Sequence, residues 1–183
     1  MLKALLARQI DKVERLWGYD ASYMRRVLAA SPATFLKFGF VPGLVDRKAA
    51  PADALAAAGL AGTLAEDCGP CTQIAIDMAT AGGVKPEVLR AILAGDERAM
   101  GEAAALAWRF ARASLARDMP AADPLRDEIV RRWGDRGLVA VAMALTTARM
   151  YPTLKYALGY GKACSKVTVG GVAAPVARLA LAA

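Results

Sequence analysis

Two cysteines, Cys68 and Cys71, stand three residues apart around Gly69-Pro70. If both occupy the first turn of a helix, their side chains share one face and come within disulfide reach. The amides at a helix N-terminus also favour a thiolate, the form of sulfur that acts as a nucleophile. Such a pair has three uses: reversible oxidation, metal binding and plain burial. A structural zinc site takes four ligands, usually cysteine or histidine. The chain has no histidine and only Cys164 as a third sulfur, so neither a metal nor a cofactor is expected. Redox use is the preferred reading, because cysteines so spaced in a reducing compartment are more often reactive than inert. Cys164 reads as a spectator.

The polar neighbours of the pair are candidates for moving its proton. Glu66 and Asp67 could do so, although a carboxylate beside a thiolate opposes its formation. Asp67 reads at least as well as a plain helix N-cap. Gln73 could orient a water or a substrate, against a simpler reading as a surface residue; Asp77, a turn further on, reads as solvated. Tyr151, Tyr156 and Tyr160 could line a pocket with polar tips, but core or interface packing is preferred. Arg149 and Lys155 could meet an acidic ligand, though ion pairs or solvent are the commoner surroundings of such residues.

The elements that must position these side chains read as helices. Leu2, Leu5, Leu6, Ile10, Val13, Leu16 and Trp17 recur at helical steps and predict an amphipathic docking helix stopped near Gly18. Asp20 can cap a second helix, and Ser31-Pro32 ends it and opens a third before Pro42-Gly43 breaks the chain. Residues 53 to 65 are alanine-rich and helical in character, weakened by Gly59 and Gly62, and deliver the chain to the cysteines. A helix is expected from Cys71 to Ala81, closed by Gly82-Gly83. Lys85-Pro86 starts a short helix ended by Gly95, and Asp96 can cap a longer one reaching about Arg117. Asp123-Pro124 reads as the next start, with a stop at Gly134. Asp135 opens the most apolar helix, which Pro152 must end or kink before Leu154 to Leu158 resume it. Val167-Thr-Val-Gly-Gly suggests an extended piece, followed by a short helix.

At 183 residues, 56% of them hydrophobic and many of those alanine, the chain reads as a single all-α domain with closely approaching helices and apolar surface left for other subunits. Within it, residues 1–50 form the docking helices, 51–160 the core and 161–183 a tail. Charged residues interrupt the apolar start, so no export signal is read there. Leu138 to Leu145 falls far short of the roughly 20 residues that span a bilayer. Three cysteines do not make the disulfide framework of a secreted mini-protein. A cytoplasmic protein without a membrane partner is expected. The net charge of +7 is concentrated at the two ends, and residues 51–123 carry 6 basic and 10 acidic groups. No basic block with interleaved aromatics and no reader motif accompanies it, so no nucleic-acid partner is expected.

Cys-Gly-Pro-Cys is also the thioredoxin tetrapeptide, but there a strand delivers the motif to its helix, and here helical sequence precedes it. The segment Glu66-Asp-Cys-Gly-Pro-Cys71, entered from an alanine-rich helix and followed by Ile74-Ala-Ile-Asp-Met-Ala79, instead resembles the thiol motif of the alkylhydroperoxidase-D-like and carboxymuconolactone decarboxylase family. Gly134-Asp-Arg136 leading into the apolar run that ends near Leu158-Gly159 is similar to that family's second helix. The likeness spans roughly residues 50 to 160. It implies an all-α bundle of helical hairpins that assembles as a homo-oligomer. It also implies that Cys71 attacks peroxide, that Cys68 resolves the sulfenate as a disulfide, and that a lipoyl-type dithiol or another thiol reduces the pair. The sequence departs from the peroxidase pattern at two places. Ala75 stands where a histidine is expected, and Ala56 where a glutamate is expected, so the usual proton relay is missing.

The expected function is thiol–disulfide oxidoreduction with at most weak peroxidase activity, carried by Cys68 and Cys71 with Glu66, Asp67 and Gln73 as candidate helpers. Two other readings compete. One is a helical oligomeric binding or scaffold protein that has lost the reaction. The other is a non-redox enzyme resembling the lactone decarboxylase branch, which wants a pocket base.

Overall fold

The computed structural model describes residues 2–161 and 167–177. Eight helices account for most of them: α1 (Leu2–Trp17), α2 (Ser22–Ala30), α3 (Pro32–Gly39), α4 (Ala52–Ala65), α5 (Gly69–Ala81), α6 (Pro86–Ala94), α7 (Glu102–Leu115) and α8 (Met119–Ala157). A short 3-10 turn, Val41–Leu44, follows α3, and a two-stranded hairpin, β1 (Val167–Val169) and β2 (Val172–Ala174), comes last. The all-α class is thus what the chain adopts, with the hairpin as its one departure among the described residues. None of the described helices is long and apolar enough to cross a membrane.

The central element is α4, which packs against α5, α7 and α8. Ala54, Ala57, Ala58, Leu60 and Ala61 are each at most 1% exposed, and a helix buried on nearly every side needs no polar face. Gly62, which weakened the helical reading, is the point of closest approach to α8. A Cβ built there would stand 2.7 Å from the Leu145 carbonyl oxygen and 3.2 Å from the Ala148 Cβ. Around α4 a core is built from α6, α7, the middle of α8 and β1. A second cluster gathers Leu6, Ile10, Tyr19, Tyr23, Leu28 and Phe35 against Tyr151, Leu154 and Leu158 at the end of α8. Thus α1 to α3 dock on the bundle through an apolar face of their own.

Several expected boundaries move. Asp118 starts α8, accepting a hydrogen bond from the Ala121 N–H at 3.1 Å, with Pro120 in the first turn; Asp123-Pro124 therefore lies inside the helix. Pro124 is the sixth helical residue, beyond the four whose N–H groups lack an intrahelical partner, so the helix continues there without the bond that would reach the Pro120 carbonyl. The break at Gly134 is present, at φ 68° and ψ 179°. Pro152 neither ends the helix nor takes it out of helical dihedrals, and α8 runs on to Ala157. Asp96 caps an isolated turn, accepting from the Arg98 and Ala99 N–H groups. The longer helix, α7, begins only after Gly101 at φ 77°. The extended piece near Val167 is a hairpin whose turn, Gly170-Gly171, has φ 60° and 77°, the left-handed pair that a tight two-residue turn requires. The helix expected after it and Cys164 lie outside the described residues.

Candidate functional site

The α4–α5 connection is three residues long, and Asp67 makes it possible by adopting φ 47°, a left-handed conformation that aspartate tolerates better than most side chains. The Tyr156 hydroxyl donates to the Asp67 carbonyl at 2.9 Å. The reading of Asp67 as the helix N-cap is corrected, because the cap position of α5 belongs to Cys68 and Cys71 is the third helical residue. Both sulfurs are therefore in the first turn, as their spacing predicts. Both are reduced and buried, Cys68 at 0% and Cys71 at 3% exposure. The Thr72 hydroxyl and amide close the turn on the Cys68 carbonyl at 3.0 and 2.9 Å.

The expected helpers are placed elsewhere. Glu66 accepts from Arg149 Nε at 2.6 Å and from the Thr153 hydroxyl at 3.3 Å, which fastens the end of α4 to α8. Gln73 joins α5 to the hairpin through both ends of its amide. Its Oε1 accepts from the Thr168 N–H at 2.8 Å, and its Nε2 donates to the Thr168 carbonyl at 3.1 Å and to Asp77 at 2.9 Å. Those bonds commit both polar ends of Gln73, and neither Glu66 nor Gln73 has a hydrogen bond to a cysteine among the described residues.

The groups that do surround the sulfurs come from distant parts of the chain. The Tyr19 hydroxyl, in the α1–α2 connection, lies 3.8 Å from Cys71 Sγ and 3.4 Å from the Tyr23 hydroxyl. Lys155, near the end of α8, is only 2% exposed. Its ammonium donates to the Tyr19 hydroxyl at 3.4 Å and sits 4.8 Å and 5.4 Å from the centres of the Tyr19 and Tyr23 rings. Aromatic faces stabilise a cation, and no carboxylate pairs with Lys155 among the described residues. A buried charge calls for an anion, and the Lys155 charge favours the thiolate of both Cys68 and Cys71.

The two thiols are pushed in opposite directions. Cys68 is lowered to about 7 by the Cys71 thiol first, and then by the Cys71 backbone N–H and the Lys155 charge, against burial and the Asp67 carboxylate. Cys71 is raised well above the ordinary thiol range by its bond to Cys68, by burial and by the Cys68 charge. The pair therefore titrates as a unit, its first proton lost more readily than that of an ordinary thiol and its second held more tightly. Burial raises Tyr19 and Tyr23, so both stay protonated hydroxyls, and pushes Tyr151 up to about 12.

No family model, curated protein or solved structure matches this chain. The case for its chemistry therefore rests on the geometry of the site itself. Cys71 faces a cavity of about 820 Å³ between the two apolar clusters, which Tyr19, Tyr23 and Tyr151 also line. Ala56 and Ala75, the two positions where a relay glutamate and histidine were looked for, are both in its wall. Sequence reasoning did not single out Tyr19 or Tyr23 for the site, and for Lys155 it preferred an ion pair or solvent to an acidic ligand. The available signal was weak: an isolated lysine in the last turn of α8, on the face shared with Tyr151 and Leu158.

Proposed function

We propose that the chain is a thiol–disulfide oxidoreductase of the alkylhydroperoxidase-D-like type, working through Cys68 and Cys71. The observation that carries the reading is geometric: two reduced, buried sulfurs in the first turn of α5, with the Tyr19 hydroxyl 3.8 Å from Cys71 Sγ and the buried Lys155 ammonium on that same hydroxyl. The Cys68 thiolate attacks one sulfur of a disulfide, forms a mixed disulfide and expels the other sulfur as a thiolate. That leaving thiolate takes the proton of Cys71. Lys155 then acts on Cys71 in turn, since its charge and the Tyr19 hydroxyl both favour the Cys71 thiolate. Cys71 attacks the Cys68 sulfur, closes the intramolecular disulfide and releases the second substrate sulfur as a thiolate, which solvent can protonate. Two protein thiols are oxidised and one disulfide is reduced; a lipoyl-type dithiol reverses the cycle.

Peroxide reduction by Cys71 is a slower branch of the same site, because it needs the thiolate of the sulfur that is held protonated. The non-redox lactone decarboxylase-like reading lacks its base, as no carboxylate, lysine or histidine lines the cavity among the described residues. Thiol counting by mass spectrometry tests the proposal. The reduced protein mixed with oxidised lipoamide is expected to form an intramolecular disulfide, to return to the dithiol with dihydrolipoamide, and to do neither in Cys68→Ser or Cys71→Ser. Oxidation no faster than that of a free thiol would sink the oxidoreductase and leave the scaffold reading.

A further inference from the structure

The cavity beside Cys71 has a composition that the thiol chemistry does not use. Its inner wall is built from small apolar side chains of three helices: Ala56 of α4, Ala75 and Ala79 of α5, and Ala144 and Ala148 of α8. The space exists because methyl groups stand where larger residues would fill it. At about 820 Å³ it is within the range of small-molecule sites, which is roughly 300–1,000 Å³. Among the described residues one charged side chain lines it, Arg47, and no acidic one does. Arg47 is exposed, whereas Cys71 is buried. The carboxylate beside it in sequence, Asp46, is taken by Arg136, and Arg47 has no ion pair among the described residues. A single cation on the lining of a largely apolar chamber fits an apolar chain that ends in one carboxylate.

We propose that this cavity binds a long-chain monocarboxylate, with its carboxylate at Arg47 and its hydrocarbon chain directed along the alanine wall toward Cys71. The site is independent of the redox reading, since nothing in the binding requires a thiolate. An alcohol of equal length loses the charge contact, and a shorter acid loses buried methylenes.

Calorimetry with octanoate, decanoate and dodecanoate tests the site, together with the fluorescence of Trp17, which is in the cavity wall. One molecule is expected to bind per chain, with affinity rising roughly threefold for each methylene. Dodecanol is expected to bind more weakly than dodecanoate. Arg47→Glu, at an exposed position, is expected to weaken dodecanoate roughly two- to fivefold and to leave dodecanol unchanged. Binding in Cys68→Ser, which cannot form the disulfide and whose side chain is not in the cavity wall, is expected to match the parent, which separates this site from the fate of the oxidoreductase. Equal binding of acid and alcohol, indifference to Arg47→Glu, or no dependence on chain length would each overturn the assignment. A solution dimer that takes up no dodecanoate would overturn it too, and give the cavity to a second copy of the chain.

Discussion

At the scale of single residues, the site is defined by which sulfur holds the charge. Cys68, lowered to about 7, should react with iodoacetamide along a curve that rises with pH to a midpoint near 7, well below an ordinary thiol. Peptide mapping of the alkylated protein checks both residue and midpoint. Replacing Lys155 by Met removes a charge that favours the thiolate, so the midpoint should climb toward the ordinary value of 9.0 and labelling at pH 7 should fall several-fold. An unmoved midpoint would remove Lys155 from the site. Stability follows the same shifts. A thiol depressed in the folded state contributes stability that is absent below its folded pKa, grows as pH rises to the unfolded value and is complete above it. The reduced protein should therefore gain stability over Cys68→Ser between pH 7 and pH 9. Above 9 the raised Cys71 works the other way, since the unfolded chain releases a proton that the folded chain keeps. Denaturant midpoints of parent and variant across that range test both arms. Asp67 supplies a contrary case. Asp67→Gly keeps the left-handed turn and removes a carboxylate that opposes Cys68, so the midpoint should move down with folding retained. A proton shuttle at Asp67 would instead show as slower disulfide closure.

At the scale of elements, the closest helix contact is the one between α4 and α8. Gly62→Ala puts a Cβ 2.7 Å from the Leu145 carbonyl, and the two helices must separate to accept it. The expected cost is about 1–3 kcal/mol, readable as a lower thermal midpoint, whereas Gly59→Ala, whose Cβ has 3.8 Å of clearance, should be neutral or stabilising. Equal effects would mean that the helices do not pack as described. The same pair shows what could be read from residues alone. Glycine in a helical pattern signals weakness or close approach, and only the partner helix decides which. The N-terminal amphipathic helix, the serine cap of α3, the glycine ends of α5 and α6 and the break at Gly134 were legible, since each follows from local backbone chemistry. Pro152 was not, because its cost is set by how firmly α8 is held on both sides. Of the site, the cysteine turn was legible because its residues are adjacent. Lys155 and Tyr19, 136 positions apart, meet only through the docking of α1 to α3 on the end of α8.

At the scale of the whole molecule, the proposed kinship with alkylhydroperoxidase-D-like proteins would put a relay glutamate and histidine where Ala56 and Ala75 stand. Ala56 and Ala75 line the same cavity as Cys71, so the missing relay and the apolar chamber are two descriptions of one wall. A histidine at position 75 would enter open space beside the sulfur instead of displacing core atoms. Ala75→His is therefore expected to fold and to speed oxidation of the pair by cumene hydroperoxide. A positioned general base contributes typically 10²- to 10⁴-fold, and an unsupported imidazole should deliver the lower end, roughly tenfold to a hundredfold. The gain should follow the protonation of the imidazole, rising with pH through about 6.5, whereas exchange through Cys68 keeps its own midpoint near 7. Stopped-flow oxidation of the parent and the variant across pH 5 to 9 distinguishes the two profiles. If Ala75→His oxidises no faster at any pH, the wall is not where a proton is needed, and the likeness to the peroxidases ends at the cysteine turn.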